Sequence, residues 1–216
     1  YKKKYLKYKK KYFIAKQHFL GGINKKNTVD FVIYQDFDLA LIPFSFPAEK
    51  IASNKSVQKE IDMIFGCRKF DLNGKVLNNY FSIVRKYLNM YNNKITILTA
   101  NTQKNVKTIL QMYDITFNGV IFSIEDENKN KSKSQKITKA NYVEEQNKPF
   151  IFIDDSPKEI EQMLPVAQKL NSKLLQIKRP KKGDTNFKNY GMFNQKKLQY
   201  IQNLFNNFSS SEIMLD

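Results

Sequence analysis

Val32-Ile-Tyr-Gln-Asp-Phe-Asp-Leu-Ala40 runs almost wholly apolar until two carboxylates, Asp36 and Asp38, interrupt it, and Leu41 and Ile42 follow. Read physically, a buried strand surfaces at Asp36, and the chain leaves the sheet with a second carboxylate on the same side as the first. Burying an ionised pair is costly unless something compensates it, and like charges this close raise each other's pKa. A divalent cation is the natural compensator, because hard oxygen ligands suit Mg2+. The plainer alternative is a strand end finished by a solvated Asp-x-Asp turn.

Working outward, composition narrows the chemistry. The 216 residues, 41% hydrophobic, suffice for one domain, with or without a small insert. A single cysteine, Cys67, excludes a disulfide framework and a Cys-rich zinc site. His18 is the only histidine, so no Ser-His or Cys-His triad is expected unless that residue serves. Carboxylates, lysines, hydroxyls and backbone must do the work. No apolar run is long enough for a membrane span. The basic start lacks the apolar stretch of a secretory signal, so a cytoplasmic location is expected unless the chain is a processed secreted product. The net charge is +17, nearly all of it lysine; the arginines are Arg68, Arg85 and Arg179. Such a charge favours phosphate-rich or acidic partners, nucleic acid among them. It equally fits a compositional bias spread over solvated faces.

The pattern of elements predicts an α/β fold, a Rossmann-like parallel sheet with helices on both faces. Strands are expected at Phe31–Asp36, Lys94–Thr99, Phe117–Ile124, Phe150–Ile153 and Leu174–Ile177. Helices are expected at Ser53–Phe65, Val76–Met90, Gln103–Tyr113, Lys139–Glu145, from Pro157 onward and at Lys196–Phe205. Glu125–Thr138 reads as a polar, lysine-rich loop. Three regions are distinguished: residues 1–28, a basic segment with a partial aromatic stripe at helical spacing; residues 29–178, the main domain, with a small helical, cap-like insert after the first strand at about 44–72; and residues 179–216, a basic loop (Arg179–Tyr190) and a closing helix.

Ligands of open parallel sheets bind beyond the carboxyl ends of the strands. Asp36, Thr99 and the pair Asp154-Asp155 all fall there. Together they offer a carboxylate that can attack, a second two residues on that can shuttle a proton, a hydroxyl, and carboxylates for a metal, with lysines upstream of the fourth strand. Phosphoryl transfer needs these pieces. Taken singly, each has a plainer reading: Thr99 as a strand end or helix cap, Asp155-Ser156 as a helix N-terminus, any one lysine as a surface charge.

In this arrangement the chain resembles the haloacid dehalogenase-like (HAD) superfamily, specifically its Asp-x-Asp phosphatases, over roughly residues 30–178. Asp-Phe-Asp-Leu-Ala40 is similar to motif I, Ile97-Leu98-Thr99 to motif II, and Phe150-Ile-Phe-Ile-Asp-Asp-Ser156 to motif IV. For the motif III lysine, Lys136 is the choice, with Lys133 and Lys139 as rivals. The resemblance implies that Asp36 forms an aspartyl-phosphate, that Asp38 is the general acid and base, and that Thr99 holds a phosphoryl oxygen. It implies that Lys136 neutralises charge, and that Mg2+ is held by Asp36, Asp38 (through its carbonyl), Asp154 and Asp155. The carboxylates of Asp36, Asp38 and Asp154 are then expected to converge on one point. Ala40 departs from the family's usual threonine, and the presence of Asp38 argues against a true dehalogenase. The implied activity is hydrolysis of a phosphomonoester of unknown class. The alternatives are a nucleic-acid end-processing phosphatase, a mutase or phosphotransferase, and a catalytically silent protein that binds nucleic acid or an anionic surface.

Overall fold

Strand residues that alternate between two buried faces build the molecule from its centre. The computed structural model describes residues 30–42, 74–178 and 195–206. The expectations for residues 1–28, for the insert at about 44–72 with its Ser53–Phe65 helix, and for Arg179–Tyr190 lie outside the described residues. The first strand, β1 (Val32–Gln35), is followed by helix α1 (Gly74–Met90), strand β2 (Ile95–Thr99) and helix α2 (Gln103–Met112). Then come β3 (Val120–Ser123), α3 (Ile124–Asn128), α4 (Lys139–Gln146) and β4 (Phe150–Asp154). The series ends with α5 (Pro157–Lys169), β5 (Lys173–Gln176) and α6 (Gln195–Asn206).

The strands form one five-stranded sheet in the order β3-β2-β1-β4-β5, with every pairing parallel. Parallel strands are covered on both sides, which is why their sequences are nearly continuous apolar runs. Side chains alternate between faces. Ile33, Ile95, Ile97, Ile151, Ile153 and Leu175 pack on one face against α1, α2 and Ile201 of α6. Tyr34, Leu98, Phe150, Phe152 and Leu174 pack on the other, against Val143 of α4 and Ile160, Met163, Val166 and Ala167 of α5. The Rossmann-like α/β architecture expected from the sequence is what the chain adopts. Among the described residues no helix is long and apolar enough to cross a membrane.

Two local readings change. The third strand is shorter than the predicted Phe117–Ile124. A Cβ on Gly119 would lie 2.4 Å from the Phe117 ring and 2.9 Å from the Ile95 carbonyl, so the chain passes Phe117 as a tight approach rather than a strand. At the other end the Ser123 hydroxyl accepts from the Asp126 N–H (2.9 Å) and starts α3. The predicted loop Glu125–Thr138 therefore contains a short helix, and a single further turn at Lys133–Gln135. The Asn128 side chain closes this stretch by pairing with the Ile137 backbone, donating to its carbonyl (2.8 Å) and accepting from its N–H (2.9 Å).

Candidate active site

The order of the strands fixes where a site can form. From β1 the chain steps outward to β2 and β3, then returns to the opposite side of β1 with β4. The crevice at that reversal, beyond the strand ends, is the usual ligand position in such sheets. Gln35 pairs with Ile153, and the Asp36 N–H donates to the Ile153 carbonyl (2.8 Å). The same register carried one residue further sets Asp36 level with Asp154.

Alternation along both strands puts these two carboxylates on the face covered by α4 and α5. Helix α4 begins with a reciprocal cap: the Thr138 hydroxyl accepts from Asn141 N–H (3.1 Å), and the Asn141 side chain accepts from Thr138 N–H (3.0 Å). Lys139 is therefore the first residue of the helix. Its ammonium donates to Asp36 Oδ1 (2.5 Å) and Asp154 Oδ2 (2.7 Å). All three side chains are buried, Lys139 at 7% exposure, Asp36 at 8% and Asp154 at 1%. The lysine in the site is thus Lys139, one of the two rivals, and not Lys136. Lys136 lies outside α4 and is exposed, as is Lys133. The Thr138 cap separates Lys139 from Lys136 but not from Lys133, which follows a like cap at Ser132.

Asp36, Asp154 and Asp155 each bring a carboxylate oxygen within 4.8 Å of the others. Asp154 Oδ1 also accepts from Ser156 N–H (2.8 Å), and Ser156, not Asp155, caps α5 by accepting from Glu159 N–H. The expected convergence of Asp36, Asp38 and Asp154 is changed in its membership: Asp155 is in the group and the Asp38 carboxylate is not. The reason is the turn after β1. Leu41 N–H reaches the Asp36 carbonyl (3.2 Å) and Ile42 N–H the Phe37 carbonyl (2.9 Å), with Leu39 at φ 60 between them. That left-handed conformation costs a non-glycine residue about 1 kcal/mol, and the turn that holds Asp38 packs beside β2. There Asp38 Oδ2 accepts from the Asn101 side-chain amide (3.3 Å). Thr99, fully buried, accepts from the Asn101 N–H (3.0 Å), while Thr102 rather than Thr99 caps α2.

Residues that sequence reasoning did not single out complete the frame. Gln35, buried in the strand before Asp36, donates to the Asp36 carbonyl (2.9 Å) and accepts from the Tyr87 hydroxyl (3.1 Å). Tyr80, two turns earlier on α1, donates to the Leu41 carbonyl (3.1 Å). A polar residue inside an otherwise apolar strand was the visible sign at Gln35. The tyrosines gave none.

Electrostatics follow from the geometry. Burial pushes the Asp36 carboxyl well up, the Lys139 ammonium opposes that, and Asp154 and Asp155 push it up further. Burial pulls the Lys139 ammonium down, but Asp36 and Asp154 more than offset it, so its pKa lies above the ordinary lysine value. Among these four side chains, three carboxylates and one ammonium carry two negative charges in excess when all are ionised. An all-oxygen donor set with that deficit fits a divalent cation such as Mg2+. Asp36, Asp154 and Asp155 are the side chains that would hold it.

No family model matches the chain, and no curated protein matches its sequence. Among solved structures, the HAD domain of the effector protein Lem4 from Legionella pneumophila is similar in fold. It is 16% identical, with a TM-score of 0.50, over 84% of this chain and 96% of that one. The likeness is one of architecture: a parallel sheet flanked by helices with HAD-like topology.

Proposed function

We propose that this chain is a Mg2+-dependent phosphomonoester hydrolase of the Asp-x-Asp kind, working through an aspartyl-phosphate on Asp36. One observation carries the reading: a buried ammonium, Lys139, between Asp36 and Asp154, with Asp155 completing an acidic group at the reversal of the sheet. In this reading an Asp36 carboxylate oxygen attacks phosphorus. The bond to the leaving oxygen breaks as Asp38 gives that oxygen a proton. Asp38, now ionised, takes a proton from water, whose oxygen attacks the same phosphorus. The acyl-phosphate bond breaks, returning Asp36, a protonated Asp38 and inorganic phosphate. Lys139 neutralises charge shared by Asp36 and the phosphoryl group, the role the resemblance implied for Lys136. Thr99 accepts from a backbone N–H, which leaves its own proton to donate to a phosphoryl oxygen. Bound Mg2+ would supply further neutralisation of the phosphoryl oxygens.

The substrate class is open in this reading. A phosphorylated nucleic-acid end is supported by the exposed Lys129, Lys133 and Lys136 in the stretch that leads to Lys139, and by the net charge of +17.

The test is phosphate release from an aryl phosphate and from end-phosphorylated oligonucleotides, with Mg2+ and with chelator, beside Asp36→Asn. Turnover that needs Mg2+ and disappears in the variant supports the hydrolase, and the preferred substrate decides between the classes. Mg2+ binding without turnover on any of them points to a mutase or phosphotransferase. Neither binding nor turnover gives the case to a silent protein that binds an anionic partner.

A further inference from the structure

Asp38 is the one carboxylate of the motif that the acidic group does not include, and a neutral side chain meets it. Asn101 Nδ2 donates to Asp38 Oδ2 (3.3 Å). We infer that Asn101 is the positioning residue for Asp38, a fixed amide donor that aims its carboxylate at the leaving oxygen. The inference rests on the hydrolase reading and adds to it the part that sets the general acid.

The orientation of the Asn101 amide is forced by its neighbours. A backbone N–H can only donate, and Thr102 N–H points at Asn101 Oδ1 (2.9 Å). The Asn105 side-chain amide donates to the same oxygen (2.8 Å) from one turn further along α2. The amide nitrogen of Asn101 is thereby left facing Asp38. Both asparagines are buried, Asn101 at 9% and Asn105 at 8% exposure. Burying two amides so close together is costly unless their bonds are made, and here they are made to one another, to the backbone and to Asp38. The Asn101 N–H also donates to Thr99 Oγ1 (3.0 Å). One residue therefore ties the proposed acid to the proposed phosphate-holding hydroxyl. A neutral amide orients a carboxylate without adding a permanent charge, unlike Lys139 on Asp36.

The chemistry supplies a readout that a purely structural role would not move. A nitrophenolate departs without a proton, whereas the alkoxide released from an alkyl phosphate needs one. Misaligning Asp38 should therefore slow aspartyl-phosphate formation from glycerol phosphate far more than from nitrophenyl phosphate. For Asn101→Ala, kcat/KM, which covers the steps up to departure of the leaving group and not the later water step that Asp38 also serves, should fall roughly 10- to 100-fold on the alkyl ester. On the aryl ester it should stay within about threefold. Asn101→Asp keeps an acceptor for Thr102 N–H and Asn105 and replaces the donor that faces Asp38 by a second carboxylate, which repels it, so it should show the same selective loss or a larger one even if the alanine variant folds poorly. Mg2+ affinity of Asn101→Ala should match the wild type, since the bonds described for Asn101 run to Asp38, Thr99, Thr102 and Asn105.

Asp38→Ala is measured beside these variants. A selective loss in Asp38→Ala that is absent from both Asn101 variants overturns the inference and leaves the hydrolase standing. Equal loss on the two esters in the Asn101 variants overturns it as well. If Asp38→Ala shows no leaving-group dependence, or the wild type hydrolyses neither ester, the hydrolase reading falls and this inference falls with it.

Discussion

The two faces of the sheet treat the end of β1 differently. On the face of α4 and α5, Asp36 meets formal charge: the Lys139 ammonium, Asp154 and Asp155. On the face of α1 and α2 neutral side chains make the described contacts: Gln35 and Tyr87 beneath the Asp36 carbonyl, Tyr80 on Leu41, and Asn101 on Asp38. Charge stands where a cation and a phosphoryl group would change its balance, and neutral hydrogen bonds stand where the backbone must stay in place. The charged face should therefore respond to composition of the medium, and the neutral face should not until its phenols ionise.

The largest effect should come from breaking the charged face. Lys139→Met leaves the buried carboxylates without their ammonium. Removing one partner of a buried ion pair costs about 3–5 kcal/mol. Denaturant unfolding without Mg2+ should show a loss of that order, with turnover lost as well. Lys136→Met, a change at an exposed position, should alter stability by less than about 0.5 kcal/mol. Equal effects from the two substitutions would mean that Lys139 does not hold the carboxylates in solution.

Adding the cation sharpens the contrast from the other side. Ligand that binds only the folded state at about a hundredfold excess over its Kd adds about 2.7 kcal/mol. Mg2+ should raise the wild-type melting temperature accordingly, and chelator should return it. Asp155→Asn should lose most of that increment. Tyr87→Phe, on the neutral face, should keep all of it. An increment in Asp155→Asn equal to the wild type would place the cation elsewhere.

These features differ in how legible they are in the sequence. The site carboxylates could be read because each interrupts or ends an apolar run: Asp36 after Val32-Ile-Tyr, Asp154 after Phe150-Ile-Phe-Ile. The sheet could be read for the same reason. Lys139 was harder, because lysine crowds the segment before β4 and composition makes Lys133, Lys136 and Lys139 equivalent; capping boxes precede both Lys133 and Lys139, so local capping does not rank those two. Helix α3 was hidden by its polar composition, being a short turn held by Ser123 rather than by an apolar stripe. The Tyr87–Gln35 bond joins residues 52 positions apart. Asn101 and Asp38 are 63 apart. No local periodicity records such pairs.

The neutral face can be taken apart with smaller effects. Gln35→Leu leaves the buried Tyr87 hydroxyl without the acceptor it uses. An abandoned buried polar group costs about 1–3 kcal/mol, and Tyr87→Phe should cost a similar amount by abandoning Gln35 Oε1. Replacing both partners by apolar groups can be nearly neutral. The double variant should therefore be no less stable than either single one. Additive losses in chemical denaturation would show that the bond is not what couples α1 to β1.

The smallest effect concerns pH. Burial raises the phenols of Tyr34, Tyr87, Tyr91 and Tyr142, with a neighbouring tyrosine adding to the first two, and burial pushes Tyr113 up to about 12. A raised phenol pKa means that the fold prefers the neutral form. The stability linked to these groups is thus complete below the unfolded value near 10. It is lost as pH rises from there through the folded values, because the unfolded chain releases its protons first. The share of melting temperature linked to these tyrosines should stay level up to that point and then fall. Tyr87→Phe, at a buried position, should flatten the fall more than Tyr113→Phe, at a half-buried one. A difference in phenolate absorbance between the wild type and Tyr87→Phe that develops well before unfolding would mean that Tyr87 ionises inside the intact fold, and that the neutral face depends on its phenol less than its hydrogen bond to Gln35 implies.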